Sequence, residues 1–489
     1  AQAFTVAEDT DGPKMARGTR ITLHLKDDAK EYLDEEKLEE LIKKYSQFFS
    51  HKIYLLKHVV DTSAEEKSDG EKTDGETSDD ESKEKESEEP KKEKKLIEKE
   101  ELMNPSKPLW LRNPKDVTEE EYNTFYKSYF NDSKDPLVHV HFVGEGDVQF
   151  RGLFFVPSRA PYSPFSGKSE KEELSKTVSL YVRRVFTKRE QLFSEAMSSF
   201  VVGLVDSDEL PLNVSRETLQ NSSLVEQIRR KSVNKVLDKL AALSESNKKA
   251  FDSFLSAFGP SVKLEIIQSD TYRKRLSKLL KYQTTLTDGD NKKMLSEYVS
   301  GMKEGQKDIY FLAGLDLAEL KQSPLIEGFK EDNLEVILAT ESLDEYCLQA
   351  LGTFEDHSFK NVAKEKAVDN KVSEDVTSTY KALSEWLKND VLKEEVSEIV
   401  ISSRLKESSC AVAASQYGLS GHMESVMKAQ AGASNDPMLK FMEMQKKVLE
   451  LNPTHPVIVA LKEAHGRGEL GKAKDIVRTI YNGALIRSG

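Results

Sequence analysis

Arg216 lies in the run Leu210-Pro-Leu-Asn-Val-Ser-Arg-Glu-Thr-Leu-Gln220, among polar residues and just ahead of a long helical pattern. Pro211, with Asn213 or Ser215 as a helix cap, predicts a loop that feeds this helix and leaves Arg216 near its first turn. An arginine there makes a poor core residue. Its guanidinium is permanently charged and offers a planar fork of donors that can grip a carboxylate or phosphate bidentately. The unpaired N–H groups and partial positive charge at the helix start act in the same direction, so the expected guest is an anion. The alternative is a surface ion pair with Asp206 or Glu209, which needs no ligand.

Two other groupings could do chemistry. His139 and His141 alternate with Val138, Val140 and Phe142, so they share one face of a strand as in some metal sites. With no third ligand nearby in sequence, the expectation is that no metal is held. Met423, Val426 and Met427 fall on one face of a helix over Gly421–Gln430, and Met438, Phe441, Met442 and Met444 follow closely. Methionine is flexible and polarizable, so such a stripe can accept many apolar partners; core packing is the competing use.

The elements that must position these residues can be read from periodicity. Residues 18–26 alternate as a strand through Ile21, Leu23 and Leu25; Leu38, Leu41 and Ile42 mark a short helix; and Ile53, Leu55 and Leu56 mark a closing strand. From Asp61 to Glu101 the composition falls to Glu, Lys, Ser, Asp, Thr and Gly, which predicts a disordered, charged linker, with Ser78-Asp-Asp-Glu81 open to an acid-directed kinase. A hairpin is predicted from Val138–Phe142 through Gly144-Glu-Gly146 to Val148–Pro157, then a strand at Tyr181–Phe186 and a helix over Leu224–Leu243. Strands at Val262–Ile267, Ile309–Ala313 and Val336–Ala339 alternate with helical patterns around Arg273–Tyr282 and Leu295–Met302, which suggests α/β packing. Beyond a polar stretch at 355–379, residues 400–413 read as strand, turn and strand. A last helix over Lys472–Ile486 carries Ile476, Val477, Ile480, Tyr481 and Ala484 on one face.

The 489 residues suggest about three domains. The expected fold is an α/β (α+β) multidomain chain: a domain tail at 1–60, linker at 61–101, hairpins and α/β/α layers at 102–355, and a mostly helical part with a small sheet at 356–489. A net charge of −13 argues against general nucleic-acid binding. No apolar run approaches the length of about 18 residues that spans a bilayer, so no membrane insertion is expected. Two cysteines, Cys347 and Cys410, build neither a disulfide framework nor a cysteine zinc site.

The run Val201-Val-Gly-Leu-Val-Asp-Ser-Asp-Glu-Leu-Pro-Leu-Asn-Val-Ser-Arg-Glu-Thr-Leu-Gln220 resembles the middle-domain signature of the heat shock protein 90 chaperone family. Leu276-Ser-Lys-Leu-Leu-Lys-Tyr282, Leu295-Ser-Glu-Tyr-Val299, Leu343-Asp-Glu-Tyr-Cys-Leu-Gln-Ala350 and the start of the C-terminal part at Val400–Ala413 are similar to it as well. Glu101–Arg112 and Leu153–Pro161 look closest to its endoplasmic-reticulum branch. This implies the lumen of that organelle as location, with cytoplasm or another organelle as the alternative.

The resemblance implies an ATP-dependent chaperone in which Arg216 reaches the terminal phosphate of ATP, with Asn213 and Gln220 beside it, and Thr19 lines the adenine pocket. It implies ATP and Mg2+ as cofactors of the full-length protein, and client proteins, co-chaperones and a homodimer through the C-terminal domain as partners. Trp110, Phe165, Met423 and Met427 are the client-contact candidates. The family's asparagine-bearing magnesium helix, Asp-x-Gly-x-Gly turn, glycine-rich lid and general-base glutamate are not found in this sequence, so this chain by itself is expected to hold no nucleotide. The family also has a further helix after the match to Ile486-Arg-Ser-Gly489, which bears on dimer strength. The competing class is a non-catalytic dimeric scaffold that binds partner proteins.

Overall fold

The computed structural model describes residues 6, 17–60, 96–105, 107–146, 149–160, 177–210, 222–364, 372–416, 418–431 and 445–487. These fall into two compact units: residues 1–109 with 181–188 and 206–208, and residues 110–180 with 189–205 and 209–489.

In the first unit the strand expected at 18–26 does not form. Residues 18–26 have no regular structure, and Ile21 and Leu23 are 80% and 75% exposed. Alternation alone does not make a strand; it needs a neighbour to take its N–H and C=O groups, and none is present among the described residues. The helix Glu35–Ser46 does form. Asp34 caps it by accepting from Glu36 N at 3.2 Å, with Glu35 and Glu36 in its first turn and Lys43 and Lys44 in its last. Strand β1 (Tyr54–Val60) pairs antiparallel with β2 (Leu96–Leu102), from Tyr54 opposite Leu102 to Val60 opposite Leu96. Asn104 secures the ribbon: its amide donates to Phe49 O and His51 O at 3.0 and 2.8 Å and its oxygen accepts from Ile53 N at 2.8 Å. The last residues of the stretch expected to be linker are therefore strand. Residues 61–95, with Ser78–Glu81, lie outside the described residues.

A five-stranded sheet has the order β3-β4-β7-β5-β6, with β3 Val138–Gly144, β4 Phe150–Val156, β5 Val178–Val182, β6 Val185–Glu190 and β7 Val202–Ser207. β3 and β4 form the predicted hairpin. The single strand expected at Tyr181–Phe186 is instead the end of β5, a two-residue turn and the start of β6. Arg183 and Arg184 form the turn with φ of 51° and 66°, the left-handed pair that matches hairpin twist. Gly203 lets β7 approach β4, since a Cβ there would meet Leu153 O at 2.6 Å.

Two helices, Ser222–Ser246 and Lys248–Gln268, follow. The strand expected at Val262–Ile267 is a second correction, because those residues lie in the later helix. Phe251, Phe254, Phe258, Val262 and Ile266 recur every three or four residues and are all buried. Pro260 inside the helix costs about 3 kcal/mol. Five buried apolar side chains at about 1.5–3 kcal/mol each outweigh it.

A six-stranded sheet has the order β12-β13-β10-β11-β8-β9: β8 Lys281–Thr284, β9 Lys293–Met294, β10 Asp308–Ala313, β11 Val336–Ala339, β12 Thr353–Phe354 and β13 His357–Asn361. β10 runs parallel to β11 and β13, while β8 is antiparallel to β11. The sheet thus continues past Glu355 to Asn361. Finally β15 (Cys410–Ala413) closes the stretch predicted as strand, turn and strand, while β14 (Val396–Ile401) starts four residues before it, and the two do not pair with each other. β16 (Lys447–Leu451) lies between them, parallel to β14 and antiparallel to β15. Helices Glu374–Trp386, Pro456–Gly466 and Leu470–Arg487 close a core containing Leu383, Leu387, Leu449, Leu461, Val477 and Tyr481.

Candidate functional site

β7 is buried along its whole length and ends shortly before residues 211–221, with Leu210 buried as the last anchor. On the far side, Ile228, Val233, Val236 and Leu240 bury one face of helix Ser222–Ser246, and Arg229 Nε donates to Leu192 O at 2.9 Å. Residues 211–221 therefore connect two anchored elements. Asn213, Arg216 and Gln220 themselves lie outside the described residues, as does Phe165. The two acids weighed as simple ion-pair partners have backbone donors: Asp206 accepts from Arg184 N at 3.2 Å and Glu209 from Gln149 N at 2.9 Å. Thr19 is described and exposed, in a stretch without regular structure.

Sequence reasoning missed the cationic turn before the loop. Arg183 N donates to Ser207 O at 3.2 Å and its Nε to Asp208 O at 3.3 Å, while Arg184 Nη2 lies 3.8 Å from Asp208 Oδ2. Two adjacent arginines interrupting an alternating apolar run were the available signal.

The apolar candidates separate. Trp110 is completely buried, edge-on to Phe125 at 6.1 Å, and Met423 is buried too; neither offers surface to a client, which corrects both assignments. Met427 is half-buried on the same helix Gly421–Ala431. Met438, Phe441, Met442 and Met444 lie outside the described residues.

His139 and His141 share a face of β3, but both serve the packing around Tyr122. Tyr122 OH donates to His141 Nδ1 at 2.8 Å, and His141 Nε2 donates to Trp110 O at 3.1 Å. His139 stacks on the same ring at 3.8 Å with Nδ1 3.3 Å from Glu119 Oε2. Burial lowers both imidazole pKa values below 6.5, so the neutral forms are favoured. Their contribution to stability is present above the unfolded value and is lost as pH falls through the lower folded values. Tyr122→Phe, which strips the buried Nδ1 of its donor, is expected to cost about 1–3 kcal/mol, read by urea unfolding at neutral pH. Among the described residues no group of three or more His, Cys, Asp or Glu could hold a metal ion.

A groove of about 950 Å³ lies beside the C-terminal end of β11, lined in part by Lys263, Lys281, Lys292, Asp252 and Glu341. Three of its lysines are neutralised within the protein: Lys263 by Glu341 and Asp344 at 2.6 and 2.5 Å, Lys281 by Asp252 at 2.5 Å and Lys292 by Glu341 at 3.2 Å.

Fold and sequence together define a multidomain mixed α/β protein in which residues 211–221, with Arg216, connect a buried strand to a long anchored helix. Comparison with known families then places it: the Hsp90 protein family matches residues 31–489, and the chain belongs to that family. It is similar to proteins named endoplasmin homolog from Hordeum vulgare, Catharanthus roseus and Caenorhabditis elegans, at 43%, 41% and 40% identity, with all of this chain covered. The chain spans 64% of the length of each of these relatives. No helix among the described residues is long and apolar enough to cross a membrane.

Proposed function

We propose that the full-length protein is an ATP-dependent molecular chaperone that binds and matures unfolded or partly folded clients, with Arg216 supplied to the terminal phosphate of ATP held by a separate nucleotide-binding domain. The observation that carries this reading is the fixed frame around residues 211–221 in a chain of this family, a buried strand on one side and an anchored helix on the other. The donor chemistry of the loop suits phosphate oxygens: Arg216 offers a charged fork, and Asn213 and Gln220 offer neutral amides. Magnesium bound to ATP would neutralise phosphate charge. Arg216 would offset the charge that develops on the transferred group, Asn213 and Gln220 would orient it, and Thr19 would line the adenine pocket.

Clients would engage the half-buried Met427 and the apolar residues that follow its helix, and Phe165. The relatives' name supports the lumen of the endoplasmic reticulum as location. Helix Leu470–Arg487 turns Val477 and Tyr481 inward yet leaves Ile486 83% exposed, which supports a homodimer through this end, with co-chaperones as further partners. The test is stimulation in trans: this polypeptide, added to the separately produced nucleotide-binding domain, should raise ATP turnover. Equal turnover with and without it would leave the scaffold reading standing.

A further inference from the structure

Glu345, in helix Asp344–Leu351, is completely buried, yet its carboxylate is the meeting point of four side chains. Asn361 Nδ2, at the end of β13, donates at 2.7 Å; Ser420 Oγ lies 2.7 Å from both oxygens; His422 Nδ1 lies at 3.0 Å and Gln349 Nε2 at 3.3 Å. An ionised carboxylate only accepts, so every neighbour donates. His422 therefore carries its proton on Nδ1, and its buried Nε2 has no partner among the described residues. The same Ser420 hydroxyl accepts from Met423 N at 3.1 Å and so caps helix Gly421–Ala431, while Gln349 also reaches Met423 Sδ at 3.4 Å.

A buried carboxylate is tolerated only when its lone pairs are filled, and removing one donor leaves the remainder exposed to the full desolvation cost. The arrangement is therefore an all-or-none joint rather than four separable contacts. Its negative charge also faces the start of helix Gly421–Ala431, where the backbone N–H groups favour an anion.

We propose that Glu345 is a positioning residue: one buried carboxylate ties the six-stranded sheet and helix Asp344–Leu351 to the first turn of the methionine-bearing helix, and so sets how Met427 is presented to a client. The functional half of this rests on the client reading given above. A shift of β13 or of helix Asp344–Leu351 cannot leave helix Gly421–Ala431 where it is without breaking the joint.

The test is amide hydrogen exchange on the full-length protein carrying Glu345→Gln, which removes the buried charge, or Ser420→Ala, which keeps the charge and withdraws one of its donors. Losing the charge-assisted bonds should speed exchange across residues 421–431 by about tenfold or more in each variant, with the larger effect in Ser420→Ala, while β14–β16 exchange unchanged. Unchanged exchange in 421–431, or an equal rise in β14–β16, would overturn the proposal, the latter by showing general destabilisation. In parallel, retention of a chemically unfolded globular protein should fall in both variants. Faster exchange with full retention would keep the joint but remove Met427 from client binding.

Discussion

Replacing Arg216 by alanine in the full-length protein is expected to leave ATP affinity nearly intact while slowing hydrolysis by about a hundredfold or more. The asymmetry follows from where charge changes. In the proposed mechanism the ground-state triphosphate would already be solvated or neutralised in its own domain, so a guanidinium reaching in from outside would add little to binding. In the same mechanism charge would shift over the departing group during transfer, and a preorganised donor would meet it without reorganisation. Arg216→Lys should be intermediate, since it keeps the charge and loses the planar fork. ATP titration and steady-state phosphate release on the same preparations check this; equal turnover in wild type and Arg216→Ala would end the assignment.

The second large effect is on stability. Arg404 Nε and Nη2 bind Glu450 at 2.8 and 2.5 Å, and its Nη1 donates to Val362 O at 2.8 Å. Glu450 is buried on β16 and also accepts from Ser402 Oγ at 2.7 Å. Arg404→Ala therefore strands a buried carboxylate, and the expected loss is about 3–5 kcal/mol. Joint replacement of both by apolar residues of similar volume should recover most of it. The measurement is urea unfolding followed at Trp386, whose ring lies 5.0 Å from His465 in the C-terminal core, in a Trp110→Phe background. A loss under 1 kcal/mol would mean that water replaces the arginine.

A neighbouring contact makes the same joint acid-sensitive. Burial would raise the Glu327 carboxyl, but the Ser408 hydroxyl at 2.6 Å and the N–H groups of Lys406, Glu407 and Ser408 at 2.7, 3.0 and 3.2 Å together hold it below the usual carboxylate range. Its stabilisation is complete above the unfolded value of 4.5 and fades as pH falls through the lower folded value. Gly328 beside it has no side chain for a reason: a Cβ would lie 2.9 Å from Arg404 Cα and O.

Elements with a period and a local partner were legible in the chain: the β3–β4 hairpin, helix Ser222–Ser246, strands β10 and β11, and the last helix. Errors came where the deciding interaction was distant or where a residue had two readings. Residues 18–26 have strand alternation and no neighbour to pair with. Val262–Ile267 looks extended after Gly259-Pro260 unless the three phenylalanines before it are counted on the same helical face. The Arg216 motif stands out in the sequence because a helix start and a lone guanidinium are local features, and residues 211–221 lie outside the described residues, whereas the Glu345 cluster draws on residues 344–361 and 420–423 together. Trp110 and Met423 look like contact residues by type, and only packing shows that they face inward.

The position of β16 has a consequence for synthesis. β14 and β15 are made well before residues 447–451, and among the described residues each finds its strand partner in that later strand. During translation both must therefore wait with open edges, the feature that invites pairing with other chains. A nascent polypeptide of this protein is itself in need of shielding until its C-terminal sheet can close.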